Sequence, residues 1–527
     1  MTQQQCPKDR EVETVGDALA GIMTRRGAWF AGGLLAFVVI NAYIGGHRKP
    51  LWYDELFSVI VAIQPTWNSM KGAMAADGNP PVYALLTKLC LHLFGSGDFS
   101  IRLPSLLGFL GALSGVYVYI RRECGPLYGL LAMVLVLAQP GWTYSYEARP
   151  YALMLAWVML ALVSWQAATR TTGARGLALA GIATALAGGI LTHNLGIVMV
   201  GVPLLAGESV RIVQRRRADW PMLATGLAVL TALAITLPMM RRTNLLLLGF
   251  QHNYLHPLTW AKFVHYGIVF PLQSFPEVVS IGLVGWMVVI VVITWRVRGK
   301  QNPSPQAAAQ PATPGYILAA AVACALLMPI TWAVMMSTTG YYLSRYGIGT
   351  IAGLALVACL LAHRTQRAKS ILPIAVLSLL ALDLVTTAIH ARAKHPILPV
   401  DQLVYAYPSD LPVVVNDPYR YLPMWWYAPA SAKSRLIYLE DRPEAIRNGY
   451  IIVEAALVAQ APYLPMHFAA FDRFLATHDD FLLDSTGTAN NNLPQRIQAA
   501  GYTLTTVASD NINGVLFHAT RLPRITR

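Results

Sequence analysis

Charge is scarce in this 527-residue chain: Asp, Glu, Lys and Arg make up 13% of it, against 55% hydrophobic residues and a mean hydropathy of +0.47. Soluble proteins carry about 25% charged residues, so an ordinary soluble globule is excluded and an integral membrane protein remains. Acid is scarcer than base, 26 residues against 40, which gives a formal net charge of +14. The basic excess falls in short clusters at the ends of apolar segments, where membrane topology accounts for it, so no nucleic acid is expected as a partner. Cysteine is sparse too. Cys124, Cys324 and Cys359 fall in or beside apolar segments, Cys6 lies in the N-terminal tail and Cys90 stands alone in a loop, with no metal-ligand spacing and no disulfide framework. No glycine-rich phosphate loop and no internal repeat occur, so no nucleotide site is expected. His252, His256 and His265 lack a matching set of ligands, so neither a metal nor another cofactor is expected.

What the chain does have is long apolar runs. A window of about 20 residues, enough to cross the hydrocarbon core, places eleven spans, at 28–46, 102–120, 126–139, 150–168, 176–192, 195–213, 221–240, 278–295, 315–336, 346–362 and 371–389. Alternate connections hold Arg25/Arg26, Arg121/Arg122, Arg170/Arg175, Arg211 with Arg215–Arg217, Arg296/Arg298/Lys300 and Arg364/Arg367/Lys369, and these are read as cytoplasmic. An odd number of spans then puts the N-terminus inside and the C-terminal region outside. The paired arginines of "MTRRGAWFAGG" lack a clear cleavage site and are read as the start of an uncleaved signal anchor. "QNPSPQAAAQPATPG" reads as a cytoplasmic linker. Beyond about residue 390 the composition changes. "PVVVND", "RLIYLE", "GYIIVEA", "FLLDST", "YTLTTVA" and "GVLFHAT" read as strands, and "YRYLPMWWYA", "FAAFDRFLATH" and "LPQRIQAAG" as helices, an α/β domain on the outer side.

The ionisable residues then sort by side. Asp54, Glu55, Asp77, Asp98, Glu147, His193, Arg241, Arg242, His252, His256, His265 and Arg345 fall in outward connections or at outer span ends, while only Glu208 and Asp383 lie within spans, near helix ends. A transporter is expected to hold such groups near the midplane. Chemistry gathered at one face fits an active site over a membrane-embedded substrate. Nucleotide-activated sugars are cytoplasmic, so an outward-facing synthetic enzyme needs a donor delivered through the membrane, and lipid-linked sugars meet that need. Transfer from a polyprenyl phosphate to a hydroxyl needs a general base, for which Asp54 is the candidate, and cations for the phosphate leaving group, Arg345 or the Arg241/Arg242 pair. Adjacent helix residues do not share a face, so of Asp54 and Glu55 one acts and the other orients it or pairs elsewhere.

The series "YDE", "DGNPPVYALLTKLCLHLFGSGDFSIRLPSLL", "SYEARPYAL", "THNLG" and "YYLSRYGIG" resembles bacterial type C (GT-C) glycosyltransferases, the group akin to protein O-mannosyltransferases and the lipid A aminoarabinose transferase. The resemblance covers roughly residues 28 to 390 and is strongest from 51 to 107. It implies a polytopic helical GT-C fold, a polyprenyl-phosphate-sugar donor, an inverting transfer, Asp54 as the catalytic aspartate, and partly embedded helices in the first outer loop at "ELFSVIVAI" and "VYALLTKLCLHLF".

Each remaining residue carries two readings. Glu147 is a charge near a helix N-terminus or a second catalytic acid; His193 is a cap or interhelical bond, or an acceptor or phosphate contact. Arg345 binds the donor phosphate or anchors headgroups, as do Arg241, Arg242 and Lys262. Arg102 is an interfacial anchor or the partner of a loop acid. Asn79 to Tyr83 turn the chain into a helix and shape the cavity floor; Tyr53 and Tyr346 are placed in the same substrate cavity. The expected organisation is a cytoplasmic tail (1–27), a transmembrane module (28–390) with its catalytic loop at about 47–101, and a periplasmic α/β domain (391–527). The expected function is transfer of a sugar from a polyprenyl-phosphate donor to a lipid, glycan or protein acceptor at the outer face of the bacterial inner membrane. A lipid or polysaccharide transporter and a non-catalytic envelope scaffold are the alternatives.

Overall fold

In the computed structural model the described residues are 18–170, 173–248, 314–339, 342–363, 409–447, 450–485, 492–510 and 514–521, with isolated positions besides. The chain divides into two compact units. One takes the residues up to His47 with Asn79–Pro238 and His256–Ala393; the other takes Arg48–Gly78, Met239–Leu255 and Lys394–Arg527. The principal helices are α1 (Gly27–Arg48), α2 (Tyr53–Ala62), α3 (Trp67–Asp77), α4 (Pro81–Phe94), α5 (Asp98–Cys124), α6 (Pro126–Leu137), α7 (Tyr151–Arg170), α8 (Arg175–Thr192), α9 (Gly196–Arg215), α10 (Leu227–Leu248), α11 (Gly315–Ala325), α12 (Leu327–Thr338), α13 (Gly349–His363), α14 (Pro418–Tyr427) and α15 (Ile451–Ala459).

The first unit is a helical membrane module, because in hydrocarbon every backbone polar group must be satisfied within its own segment. Among the described residues six helical stretches are long and apolar enough to span: α1, α5, α7, α8, α9 and Trp220–Arg241. The pair α11 and α12, bent by 51°, makes a seventh. α6 and α13 are apolar but shorter, 12 and 15 residues. The expected spans at 278–295 and 371–389 and the Pro/Gln/Ala linker up to residue 313 lie outside the described residues, as does Asp383. Cys90, expected in a loop, instead lies buried within α4. The apolar run around it continues a helix that Pro81 starts, since proline suits the first turn, where no N–H is needed.

Close approach sets the packing of α5 on α7. A Cβ at Gly108 would stand 2.7 Å from the backbone of Leu153, and one at Gly115 would stand 2.6 Å from the Met159 Cβ. Small residues of this kind let membrane helices approach where no hydrophobic effect drives them together. Gly108→Val should therefore separate the two helices and cost about 1–3 kcal/mol. Its check is the midpoint of thermal aggregation in detergent, which an unchanged value would contradict.

At the end of the module opposite the α8–α9 turn, the buried charges are paired. The Glu208 carboxylate accepts from Arg211 at 2.6 and 2.8 Å and from the Trp165 indole at 3.0 Å; Arg211 also reaches Asp219 at 2.8 Å, and Asp219 pairs with Arg175. Glu123, Gln166 and Arg170 form a second network beside it. Glu208 is thus neutralised in place, as an intramembrane acid must be.

The second unit carries a six-stranded sheet ordered β3-β2-β1-β4-β6-β5, with β1 (Val413–Val415), β2 (Leu436–Glu440), β3 (His467–Ala470), β4 (Asp480–Ser485), β5 (Tyr502–Asp510) and β6 (Gly514–Arg521). β3, β2, β1 and β4 are parallel, joined by helical crossovers, while β5 and β6 form an antiparallel hairpin on β4. Val414, Leu439, Phe474, Phe481, Leu483, Ile497 and Tyr502 form a core on this sheet. Arg420 and Asp484 make a buried two-pronged ion pair.

Two expectations fail here. "GYIIVEA", expected as a strand, forms the start of α15, burying Ile451, Glu454 and Leu457 on one helical face. The residues at the head of "FAAFDRFLATH", expected as helix, form β3, and the helix begins at Phe471. In both cases a short apolar run does not reveal its period, and packing decides.

Candidate active site

The acidic pair sits in the first turn of α2 in the second unit. Glu55 is fully buried, and its carboxylate accepts the Trp52 N–H at 3.2 Å, which caps the helix at its third position. Asp54 is half-buried, on a different azimuth of the same turn. Glu55 thus holds the helix start, while Asp54 keeps part of its surface open. Tyr53 is buried, and its hydroxyl donates to the Val453 carbonyl at 2.7 Å. Burial, followed by the charges of Asp54, Asp77 and Asp417, pushes its phenol well above the ordinary value, so it acts as a donor.

A cationic and aromatic cluster forms at one end of the first unit, where three connections meet. The Pro140–Tyr146 3₁₀ turn and the residues up to Tyr151 supply Tyr144, Glu147 and Arg149; the α8–α9 turn supplies His193; and the segment before α13 supplies Tyr342, Arg345 and Tyr346. The guanidinium carbons of Arg149 and Arg345 stand 5.8 and 5.6 Å from the centroid of the same Tyr151 ring, within cation–π range. His193 packs its ring 5.8 Å from Tyr151 and 5.6 Å from Tyr346. Burial first, then the charges of Arg149 and Arg345, push the His193 imidazole down to about 3. It is neutral, and its Nδ1 accepts the Leu195 N–H at 3.1 Å, so the proton is on Nε2. Burial raises the Tyr144 phenol; Glu147 raises it further, and Arg345 and Arg149 oppose both. Glu147 thereby belongs to the same cluster.

The scaffold behind Arg149 is a short relay. The Tyr83 hydroxyl in α4 lies 2.8 Å from the Ser105 hydroxyl in α5, and Ser105 donates to the Arg149 carbonyl at 3.0 Å. Tyr83 thus fixes the turn that presents Arg149. Arg102 is buried and donates to the Gly46 carbonyl at the end of α1. Asn79 follows Gly78, whose φ of +78° is the left-handed conformation that closes α3, and precedes the prolines that open α4. Arg241 is exposed within α10; Arg242 lies in the same helix, and Lys262 lies outside the described residues, as do His252, His256 and His265. Arg149 was not among the expected site residues. The signal that singles out Arg345, a basic residue on the side where few are expected, applies equally to it.

The neutral His193 has a measurable consequence. The unfolded chain takes up a proton near the ordinary value of 6.5, whereas the folded protein does not until about pH 3. Between these values the folded state loses about 1.4 kcal/mol per pH unit as pH falls, and nothing is lost above 6.5. Unfolding midpoints from pH 7 to pH 4 should decline less in His193→Gln than in the wild type; parallel curves would contradict the burial of a neutral imidazole.

Two arginines, the Nε2–H of a neutral imidazole and several tyrosines make a cluster suited to an anionic oxygen group. The chain is a multi-pass membrane protein whose helical module carries this cluster. Residues 78–240 match the family described as dolichyl-phosphate-mannose-protein mannosyltransferase, which bears out the resemblance to type C glycosyltransferases. Tyr83, Arg102, Glu147, Arg149 and His193 fall within the matched residues; Asp54 and Glu55 precede them, and Arg345 and Tyr346 follow. No curated protein matches the chain in sequence. Among solved structures, ArnT from Cupriavidus metallidurans in the apo state and bound to undecaprenyl phosphate each match with TM-score 0.45 and 14% identity, over 93% of this chain and 98% of that one. The Archaeoglobus fulgidus oligosaccharyltransferase matches with TM-score 0.42 and 12% identity, over 91% of this chain and 72% of that one.

Proposed function

We propose that the protein is an inverting glycosyltransferase of the inner membrane that moves a sugar from a polyprenyl-phosphate donor to a hydroxyl of a lipid, glycan or protein acceptor at the outer face. The observation that carries the reading is the pairing of Arg149 and Arg345 around Tyr151 beside a neutral His193. Two guanidiniums held on one ring beside an N–H donor suit a phosphate, whose oxygens can accept from all three. In the proposed reaction the acceptor oxygen attacks the anomeric carbon, the bond from that carbon to the phosphate oxygen breaks, and polyprenyl phosphate leaves with both electrons. Asp54 takes the acceptor proton, and Arg149, Arg345 and the His193 Nε2–H hold the phosphate as its charge grows. Glu147 orients the acceptor or the arginines; Tyr346, Arg102 and Asn79 shape the cavity, and Arg241, Arg242 and Lys262 are assigned to binding headgroups or the donor. The alternation of basic clusters supports a cytoplasmic N-terminus and an outer C-terminal domain.

The test is turnover. Purified protein in lipid nanodiscs is offered a panel of polyprenyl-phosphate sugars, and released polyprenyl phosphate is followed by mass spectrometry. Release with one donor names the sugar. No release with any donor, with membrane extract present as acceptor source, would overturn the reading in favour of transport or scaffolding.

A further inference from the structure

The loop that bears Asp54 does not group with the helices on either side of it in sequence; it groups with the C-terminal α/β region. α2 is ten residues long, and a helix of that length is marginal in water by itself. Its support comes from far along the chain. Before the helix, the Leu51 N–H donates to the Tyr427 hydroxyl at 2.7 Å. In its first turn Tyr53 donates to the Val453 carbonyl of α15 at 2.7 Å, and its ring meets Tyr419 of α14 edge-on at 5.0 Å. After the helix, the Gln64 amide donates to the Tyr463 carbonyl at 3.2 Å. From the domain side, the buried Gln460 amide donates to the Ala73 carbonyl of α3 at 3.0 Å.

α14 and α15 lie on the crossovers that join β1 to β2 and β2 to β3, so the bonds tie the loop to the two crossover helices of the parallel sheet. Around α2, Leu56, Val59 and Ile60 are fully buried, whereas Asp54 keeps part of its surface open. Every other position of α2 is buried, so Asp54 is the one side chain this helix leaves partly open.

We infer that the C-terminal domain serves as the positioning element for the base, and that Tyr53 is the positioning residue through which it sets the orientation of Asp54. This rests on the proposed role of Asp54 as base. Tyr53 then touches no substrate: its hydroxyl is committed to Val453, and its neighbour in the same turn is the residue that reacts. The domain's part in the reaction is geometric, independent of what it contributes to acceptor choice.

The experiment uses the full-length protein in nanodiscs with the donor that wild type consumes. Tyr53→Phe keeps the ring packing and removes only the donor to Val453. It should lower kcat about tenfold while leaving the KM for donor and inhibition by polyprenyl phosphate unchanged, because a small misorientation of a base acts on the chemical step. Tyr427→Phe, made from the domain side at the Leu51 contact, should shift the same parameter in the same direction. The decisive comparison is the double variant. If Tyr53 acts through Asp54, then Tyr53→Phe should slow Asp54→Asn no further. A double variant slower than Asp54→Asn by the full tenfold, or wild-type kcat in both single variants, would overturn the inference while leaving the base reading intact. A wild type that turns over no donor, or an Asp54→Asn variant of normal activity, would overturn the base reading and this inference with it. Should Tyr53→Phe fail to insert, Tyr427→Phe with its own Asp54→Asn double variant decides.

Discussion

Asp54→Asn should lower turnover by about 10²- to 10⁴-fold, the span of a lost general base. The substitution is close to isosteric, and Asp54 is half-buried rather than enclosed, so insertion and unfolding midpoint should stay at wild-type values. The amide cannot accept the acceptor's proton at neutral pH, which confines the loss to the chemical step: kcat should fall with little change in donor KM. Glu55→Gln is the internal control. Its amide oxygen still accepts from the Trp52 N–H, so the cap survives and turnover should fall by less than about tenfold. Single-turnover kinetics with the preferred donor measure both. Near-normal turnover in Asp54→Asn would remove the base assignment, and a collapse in Glu55→Gln with normal Asp54→Asn would exchange the two roles.

What was legible in the sequence follows from the length scale of each signal. Membrane spans announce themselves over some 20 residues, and α1, α5, α7, α8 and α9 lie where apolar windows put them. The strands at "PVVVND", "RLIYLE" and "FLLDST" are legible because β-branched and aromatic residues are bounded by turn formers. Ile451–Val453 carries the same composition and is helical, since seven residues do not separate the two periods. The allegiance of the first loop was out of reach for a different reason: the bonds Leu51–Tyr427 and Tyr53–Val453 join residues 376 and 400 positions apart. Nothing local in "LWYDELF" marks such partners. Arg345 was legible from its side of the membrane, and Arg149 carries the same signal in the other outer connection.

Those two arginines carry the second large effect. Arg345→Ala and Arg149→Ala should each reduce kcat/KM for the donor by about 10²-fold, the order seen when one preorganised donor to a developing anion is removed. In the donor the phosphate is a diester with one charge; as the bond to the sugar breaks it gains a second, and a guanidinium held in place by Tyr151 meets that charge without reorganising. Most of the loss should therefore fall on kcat, with a smaller part on KM. Because both cations act on one leaving group, the double variant should be less impaired than the product of the singles. Arg→Lys at either position keeps the charge but loses the planar fork and its stacking, so it should recover part of the activity and not all of it. The product offers an independent reading: polyprenyl phosphate, which carries the full charge, should inhibit both alanine variants more weakly than wild type. Unchanged inhibition in Arg149→Ala and Arg345→Ala alike would place the phosphate elsewhere and leave the tyrosine-lined cluster with a structural role.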